Sequence, residues 1–329
     1  MIRITIDDIE TQVEEGTTIL NAARKIGGKI VPPALCYYSS LKGSGGKCRA
    51  CLVKVEQASA RDPRPMPKLV ASCCTPAQDG MVVRNITSPE VLEARRGVVE
   101  LLLINHPLDC PICDQAGECD LQNFAYEHGL EKTRYEFPRR TFDPIDIGPH
   151  IQLHMTRCIL CYRCTLVADQ LSNDRVHGIL WRGEVSEIST YIQKAIDHEF
   201  SGNMIDVCPV GALTDKHFRF RNRVWFLIPM DAHRNCAKCC GKVVLWLRGK
   251  EIYRVTARKD EYGEVHEFIC NECRWEHYNL NDWVVEGPRA FQPWSVINAN
   301  KYHANTKELP HTLYSKLDNE RWNEFEGVN

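Results

Sequence analysis

The chain has 329 residues, 17 cysteines and a formal net charge of −2 at pH 7. This length predicts two or three domains, and a nearly neutral chain has no overall field that would draw it to nucleic acid or to anionic lipid. The most apolar run, VVELLLI at 98–104, contains Glu100 and is shorter than the ~18 residues that a membrane-spanning helix needs. We therefore expect neither a nucleic-acid partner nor a direct membrane span.

The cysteines are the outlier of the composition. The N-terminal segment MIRITIDD has no basic region followed by an apolar one, which predicts an intracellular protein. In a reducing compartment, clustered cysteines indicate metal binding rather than disulfides. Isolated cysteines can be small buried apolar residues, but at least fourteen of the 17 fall in short clusters of the CxxC type. The chain is therefore predicted to bind metal at several sites.

Residues 1–87 have the pattern of a β-grasp ferredoxin domain. The segments RITID and ETQVEE alternate like strands, and Thr17 or Thr18 can cap a helix over ILNAARKIG. The segments LVKVE and MVVRNIT are predicted as further strands that enclose a loop rich in cysteine.

The cysteines of this domain fit a [2Fe–2S] cluster, in which two irons require four thiolates. Cys36 is followed after eleven residues by Cys48-x2-Cys51, and either Cys73 or Cys74 supplies the fourth ligand. Three loop glycines can adopt positive φ and turn their N–H groups toward sulfur; they are Gly43, Gly45 and Gly46. A zinc knuckle is the alternative, although zinc sites more often combine two CxxC pairs.

Residues 88–140 are predicted to contain a helix followed by a metal-binding loop. Ser88 and Pro89 can begin the helix, which ends near Asn105. Its apolar residues recur on one face: Val91, Leu92, Val98, Val99, Leu102 and Leu103. The loop HPLDCPICDQAGECDLQ then places one imidazole and three thiols within fourteen positions, at His106, Cys110, Cys113 and Cys119. Its acidic residues are expected to be solvated: Asp109, Asp114, Glu118 and Asp120.

Residues 141–220 carry the pattern of a bacterial ferredoxin. RCILCYRC contains three cysteines at CxxCxxC spacing, and VCPVGAL adds a remote Cys-Pro, which together are typical of iron–sulfur ligation. Ala168 stands where a two-cluster ferredoxin would carry a further cysteine. We therefore predict a fold that has kept one [4Fe–4S] cluster, with the ligands Cys158, Cys161, Cys164 and Cys208.

Residues 221–285 are predicted to form a small β-rich domain with a fourth site. Two CxxC pairs flank the strands KVVLWLRG and KEIYRVTAR, and they supply Cys236, Cys239, Cys270 and Cys273. This set fits either a [4Fe–4S] cluster or a tetrahedral zinc ion. Cys240, His233 and His266 are expected not to be ligands.

The predicted fold class is α+β, with these four segments followed by a tail at 286–329. Within the tail, four apolar residues at helical spacing predict a surface or docking helix: Leu313, Leu317, Trp322 and Phe325.

The order of the motifs, from Cys-x11-Cys-x2-Cys through HPLDCPICDQAGECDLQ to RCILCYRC and CPVGAL, resembles the G subunit of NADH-quinone oxidoreductase, respiratory complex I. The resemblance covers roughly residues 1–285. It implies that His106 ligates a [4Fe–4S] cluster together with Cys110, Cys113 and Cys119, and that Cys73 rather than Cys74 binds the [2Fe–2S] cluster. The implied cofactors are one [2Fe–2S], two [4Fe–4S], and at the fourth site either a third [4Fe–4S] or zinc.

The resemblance also implies a function and partners. Members of that family lie in the peripheral arm and carry electrons from the flavin and NADH-binding subunit toward the quinone-side iron–sulfur subunits, in a complex coupled to proton translocation. The expected location is cytoplasmic, on the cytoplasmic side of the inner membrane. The chain has neither a GxGxxG after a strand nor a P-loop, so it is not expected to bind NADH or flavin itself.

The sequence departs from the family pattern in two places. Val243 stands where bacterial relatives with an additional [4Fe–4S] cluster carry the third cysteine of C-x2-C-x3-C, and Cys273 is the expected replacement. The chain also ends 56 residues after Cys273, so a short form without the molybdopterin-oxidoreductase-like domain is expected.

Three alternatives share part of the pattern. Iron-only hydrogenases require further cysteines that have no match here. The electron-transfer (diaphorase) subunit of an NAD-reducing hydrogenase or of a formate dehydrogenase is the main functional alternative. A zinc-stabilised scaffold without a redox role is the third, and a colourless protein would support it.

Overall fold

The computed structural model describes residues 1–130, 132–136, 138–171, 175–191 and 194–289. They form two compact units. The first contains Met1–His106, Phe124–Arg140 and Ile159–Tyr162, and the second contains Pro107–Asn123, Thr141–Cys158 and the described residues from Arg163 to Arg289.

The first unit is built on a mixed five-stranded sheet. Its strands are β1 (Ile2–Ile6), β2 (Ile9–Val13), β3 (Leu52–Gln57), β4 (Val70–Ala71) and β5 (Met81–Arg84). They lie in the order β2-β1-β5-β3-β4. β1 pairs with β5 in parallel, whereas its pairing with β2 is antiparallel. This order, with one helix packed on the sheet, is that of the predicted β-grasp.

Helix α1 (Ile19–Ile26) covers one face of that sheet. Thr18 caps it, since its Oγ1 accepts a hydrogen bond from the N–H of Asn21 at 3.3 Å. Ile19 and Ala23 pack against the inward residues of the alternating strands. Those strand residues are all fully buried: Ile4, Ile6, Val53, Val55, Met81 and Val83.

Helix α2 (Pro89–Leu103) follows the sheet, as predicted, but its buried stripe differs from the predicted one. Val91 and Val99 are buried, and Arg95 lies between them at 1% exposure. The Arg95 guanidinium donates to the carbonyl of Leu52 at 3.2 Å and to Oδ1 of Asn85. An arginine can occupy this stripe because its N–H groups find acceptors there.

The described residues of the second unit form three small sheets. The first has the order β10-β7-β6 and the second pairs β8 with β9. Their strands are β6 (Ile145–Asp146), β7 (Ile151–Leu153), β8 (His177–Leu180), β9 (Glu187–Thr190) and β10 (Leu213–Asp215). Helices α4 (Arg163–Leu171) and α5 (Asn203–Val207) belong to the same unit, and α3 (Asp120–His128) begins in it.

The third sheet of this unit is antiparallel, with the order β13-β12-β11-β14. Its strands are β11 (Ile228–His233), β12 (Lys242–Arg248), β13 (Glu251–Ala257) and β14 (Val284–Pro288), and α6 (Asn271–Trp275) lies between β13 and β14 in the chain. The hairpin β12–β13 turns at Gly249, where φ is +62°. The turn places the two CxxC pairs at the same end of the hairpin.

The observed mixture of sheets and helices confirms the α+β class. None of the helices in the described part of the chain is long and apolar enough to cross a bilayer. The proposed division into segments at 87, 140, 220 and 285 stays a prediction. The predicted tail helix around Leu313 to Phe325 lies outside the described residues.

Candidate metal centres

The segment between α1 and β3 brings three cysteines of the first set into the interior. Cys36, Cys48 and Cys51 are buried there, and Cys73 joins them from the segment after β4. The N–H of Cys48 donates to the Sγ of Cys36 at 3.3 Å. The N–H of Gly46, whose φ is +72°, donates to the Sγ of Cys73 at 3.2 Å. These donors point at sulfur as the loop glycines predicted, and they favour thiolates.

The four thiols of this set interact as two pairs. A side-chain hydrogen bond with Cys36 raises the pKa of Cys48. A side-chain hydrogen bond with Cys73 lowers the pKa of Cys51 to about 7, and the same contact raises the pKa of Cys73. Two adjacent pairs of thiols are the arrangement that a two-iron cluster requires, because each iron takes two thiolates.

The choice between Cys73 and Cys74 follows from burial. Cys73 is 4% exposed, whereas Cys74 is exposed to solvent. Only Cys73 of the two accepts the Gly46 N–H bond described above. The geometry therefore favours Cys73, the residue that the family resemblance selects.

The second set lies on the loop around the short 3₁₀ turn Cys110–Ile112. Cys113 and Cys119 are buried and Cys110 is exposed. The Cys119 thiol donates to the carbonyl of Pro209 at 3.7 Å, and burial raises its pKa. A Cβ added at Gly211 would lie 2.2 Å from the Sγ of Cys113. Two cysteines of this set are therefore packed against the Cys-Pro segment of the third set.

His106 follows helix α2 and belongs to the first unit, whereas its three predicted partners belong to the second. Its place in this ligand set stays a prediction from the sequence.

The acidic residues of this loop are not solvated turn residues, and that prediction was wrong. Each carboxylate pairs with an arginine of the second unit: Asp109 with Arg157, Asp114 with Arg219, Glu118 with Arg254, and Asp120 with Arg163. The N–O distances are 2.6 Å for Glu118 and 3.7 Å for both Asp114 and Asp120. Sequence reasoning missed these pairs because the arginines come from distant segments. The pairs hold the cysteine loop in place.

In the third set, Cys158 and Cys161 lie in the loop before α4, Cys164 lies in α4, and Cys208 directly follows α5. Cys161, Cys164 and Cys208 are buried, and Cys158 is half-buried. Cys161 is counted in the first unit and the other three in the second, so their joint ligation stays a prediction. Within the first unit, the Lys47 ammonium lies 5.9 Å from the ring of Tyr162. The [2Fe–2S] loop is thus next to the residue that follows Cys161.

A histidine that the sequence did not single out contacts this set. Nε2 of His177, on β8, lies 3.2 Å from the Sγ of Cys164. Burial lowers the pKa of His177 to about 4, so the ring is neutral near pH 7 and can donate one N–H to the sulfur. No sequence motif identifies His177 as a site residue, because only tertiary packing brings β8 close to the helix that carries Cys164.

The fourth set converges most closely. The Sγ atoms of Cys236, Cys239, Cys270 and Cys273 all lie within 4.8 Å of one another. Cys240 is exposed and is not among them. His233 and His266 face carboxylates instead, with ring nitrogens 2.8 Å from Glu286 and 2.7 Å from Asp260. The structure thus brings together the four residues that the two CxxC pairs predicted.

The fold and the cysteine sets together define an iron–sulfur protein assembled from ferredoxin-like domains. Three family models match the chain. They are described as a 2Fe-2S iron-sulfur cluster binding domain at residues 1–88, the NADH-ubiquinone oxidoreductase-G iron-sulfur binding region at 95–134, and the NADH-quinone oxidoreductase subunit 3 ferredoxin-like domain at 148–214.

Curated relatives show a similarity that extends over most of the chain. The NADH-quinone oxidoreductase G subunit of Rickettsia bellii is 42% identical over 301 residues, which are 91% of this chain and 42% of the relative. The NADH-ubiquinone oxidoreductase 75 kDa subunit of Reclinomonas americana is 42% identical over 288 residues, 88% of this chain and 40% of the relative. Over these aligned residues the chain is similar to the G subunit of NADH-quinone oxidoreductase. It spans about two fifths of the length of these relatives.

A solved structure shows a second likeness. A chain from the crystal structure of an NAD+-reducing [NiFe]-hydrogenase in the H2-reduced state matches with a TM-score of 0.58 and 28% identity. The match covers 68% of this chain and 91% of that chain.

Proposed function

We propose that this chain is an electron-transfer subunit of an NADH:quinone oxidoreductase, carrying electrons one at a time from an NADH- and FMN-binding subunit toward quinone. The observation that carries the proposal is the burial of Cys36, Cys48, Cys51 and Cys73, with backbone N–H donors aimed at sulfur, in a ferredoxin-like fold. Iron–sulfur clusters supply one-electron carriers whose potentials depend on ligands, hydrogen bonds to sulfur and burial.

The residues that would hold the first cluster fit a [2Fe–2S] group. Cys36, Cys48, Cys51 and Cys73 are all buried and interact as two pairs, one for each iron. Backbone N–H groups of the loop already point at two of the sulfurs. Thiolates at these buried positions would need a cation to offset their charge, and the irons of a [2Fe–2S] group would supply it.

Two further ligand sets would hold [4Fe–4S] clusters. They are His106, Cys110, Cys113 and Cys119, and Cys158, Cys161, Cys164 and Cys208. The adjacency of Cys113 to Gly211, and of Cys119 to Pro209, supports a short path between the two sets. Arginine–carboxylate pairs link the loop that presents the second set to other segments of the second unit.

The proposed partners are the other peripheral-arm subunits of such a complex, namely the flavin and NADH-binding subunit and the quinone-side iron–sulfur subunits. The proposed location is the cytoplasmic side of the inner membrane. Proton translocation belongs to the complete complex and is coupled to the electron flow that this chain conducts.

One observation favours a second candidate. The 28% identical match covers nearly all of a chain from an NAD+-reducing [NiFe]-hydrogenase, and such a chain would carry electrons between a hydrogen-activating site and NAD. The ligand sets suit either complex, so the partners decide between the two functions.

The first test is the cofactor content of the full chain purified without oxygen. Iron, acid-labile sulfide and EPR spectra after dithionite reduction should show one [2Fe–2S] signal and at least two [4Fe–4S] signals. Protein without iron or sulfide would overturn the electron-transfer function.

The second test distinguishes the two complexes. Deletion of this gene should abolish NADH-dependent quinone reduction by membranes and leave hydrogen-dependent NAD+ reduction unchanged. The reverse pattern would assign the chain to a hydrogenase.

A further inference from the structure

The four sulfurs of the fourth set have the separations of ligands to a single ion. The Sγ atoms of Cys236 and Cys270 lie 3.7 Å apart, and those of Cys239 and Cys273 also lie 3.7 Å apart. All four lie within 4.8 Å of one another.

These Sγ–Sγ distances discriminate between a zinc ion and a [4Fe–4S] cluster, the two metal groups that the CxxC spacing allows. In a tetrahedral zinc site the Zn–S bonds are about 2.3 Å long, which places neighbouring sulfurs about 3.8 Å apart. A [4Fe–4S] cluster binds one thiolate at each of four irons, so its ligand sulfurs stand at the outer corners of a cube and lie farther apart. We propose that Cys236, Cys239, Cys270 and Cys273 bind one zinc ion and not an iron–sulfur cluster.

The backbone around the first pair is shaped to support thiolates. The N–H groups of Lys238 and Gly241 each donate at 3.4 Å, to the Sγ of Cys236 and of Cys239 respectively. Gly241 has φ +67°, and a Cβ there would lie 2.0 Å from the carbonyl oxygen of Arg234. The glycine therefore permits the tight turn that aims its own N–H at sulfur.

One cation nearby offsets part of the remaining charge of such a site. Four thiolates around Zn²⁺ leave two negative charges in excess. Nη1 of Arg234 lies 3.8 Å from the Sγ of Cys273, and the guanidinium also pairs with Glu272 at 3.3 Å. Hydrogen bonds and cations around the ligands are typical of metal sites whose ligands are held in position.

The four cysteines come from different secondary-structure elements, so a bound ion would link these elements to one another. The first pair follows β11, the second pair begins α6, and the hairpin β12–β13 lies between them in the chain. Zinc has no redox chemistry, and structural zinc sites with four cysteines contribute directly to folding. Resting on the proposed function, this inference excludes the fourth site from the electron path and gives it a structural role.

The test is the metal content of the full chain, produced with both iron and zinc in the medium and purified without oxygen. Wild type should contain one zinc per chain, together with iron and sulfide for one [2Fe–2S] and two [4Fe–4S] clusters. Iron and sulfide for a third [4Fe–4S] without zinc would overturn the proposal. Iron at the fourth site without accompanying sulfide would overturn it as well.

A matched pair of variants locates the zinc. Cys239→Ser should remove the zinc and leave the EPR signals of the clusters unchanged. Cys240→Ser alters the adjacent, exposed cysteine and should keep one zinc per chain. Zinc that persists in Cys239→Ser would show that it binds elsewhere.

X-ray absorption at the zinc edge makes the test independent of how the variants fold. Wild-type protein should show four sulfur ligands at about 2.3 Å. Nitrogen or oxygen ligands would overturn the assignment to these cysteines. Absence of iron and sulfide alongside a four-sulfur zinc site would instead refute the proposed electron-transfer function and leave this inference standing.

Discussion

The hydrogen bond between His177 and Cys164 is a contact through which one side chain can set a reduction potential. The N–H of a neutral imidazole stabilises charge on a ligand sulfur, and the reduced cluster carries more of that charge. We expect His177→Phe to lower the potential of the cluster ligated by Cys164. If the bond is worth about 1 kcal/mol more in the reduced state, the shift is about 40 mV. An EPR-monitored redox titration measures it.

The conservative variant provides the control for this prediction. His177→Gln retains an N–H donor and should recover part of the potential. A potential in His177→Phe equal to or above that of wild type would contradict the role assigned to the hydrogen bond.

The chemical type of each ligand, imidazole or thiolate, is a second determinant of a cluster's reduction potential. A neutral imidazole in place of a thiolate leaves the cluster with one negative charge less, which raises its potential. His106→Cys should therefore lower the potential of the second cluster, while the [2Fe–2S] potential in the same sample stays constant as an internal reference. Potentiometry that gives no shift, or a rise, would refute the assignment of His106 as a ligand.

The sequence predicted site residues well where the residues of one site lie close together in the chain. It predicted them poorly where the contacting residues come from distant segments. CxxC spacing was enough to gather Cys236, Cys239, Cys270 and Cys273, since a hairpin joins the two pairs. His177 and the arginine partners of Asp114 and Glu118 gave no such signal, because only tertiary packing brings them to the sites.

At the scale of the elements, the loop that carries Cys113 is in van der Waals contact with Gly211, which lies in the segment after Cys208 and Pro209. An alanine Cβ at this position would lie 2.2 Å from the Sγ of Cys113, so the sulfur would have to move. Gly211→Ala should reduce the iron and sulfide content by the equivalent of one [4Fe–4S] cluster and weaken its EPR signal.

Gly97→Ala is the matched control. Gly97 lies in α2 and an added Cβ there meets no atom within 4 Å. This change should keep all clusters and stabilise the helix by about 0.5–1 kcal/mol. Full cluster content in Gly211→Ala would show that the segment can shift without loss.

The pair formed by Arg254 and Glu118 connects strand β13 with the cysteine loop. Both side chains are about nine-tenths buried, and the Arg254 guanidinium also lies 4.4 Å from the ring of Trp246. Removing one partner leaves the other charge buried and costs roughly 3–5 kcal/mol. Arg254→Met should lower the apparent midpoint of thermal unfolding by roughly 6–12 °C at a fixed scan rate.

Arg221→Met serves as the comparison, because Arg221 pairs with Glu251 on the surface with both side chains largely exposed. Such pairs contribute about 0–1 kcal/mol, so the midpoint should change little. Equal shifts in the two variants would show that burial of the Arg254 pair has no special effect.

The elements themselves were predicted where local signals agree. The Thr18 cap defined the start of α1, and alternation defined β1 and β2. For α2 the helix was predicted but its buried face was not, since the periodicity of apolar residues gives no indication that Arg95 finds acceptors at Leu52 and Asn85.

At the scale of the molecule, the division into two units predicts a local response to loss of zinc. Because the proposed zinc site lies within the second unit, chelation should accelerate hydrogen–deuterium exchange in the sheet of β11 to β14 and in α6. The sheet of β1 to β5 should keep its protection. Cys240→Ser should behave as wild type, and a uniform acceleration across both sheets would contradict a site confined to the second unit.

The α+β class and the four metal-binding motifs could be read from the chain, but the division into units could not. The first unit includes the separate segments 124–140 and 159–162. Domain boundaries predicted from the sequence fall at changes of composition. Contacts between residues that are distant in the chain join these two segments to the first unit, and composition gives no sign of such contacts.

The parallel pairing of β1 with β5 has a consequence for synthesis. β1 leaves the ribosome before its central partner, which follows about 75 residues later; at translation rates of 5–20 residues per second this interval is roughly 4–15 s. All four cysteines of the first cluster lie within the chain that this pairing encloses. During that interval the nascent chain holds its thiols in an unfinished sheet, where oxidants and stray metal ions can reach them before a cluster is delivered.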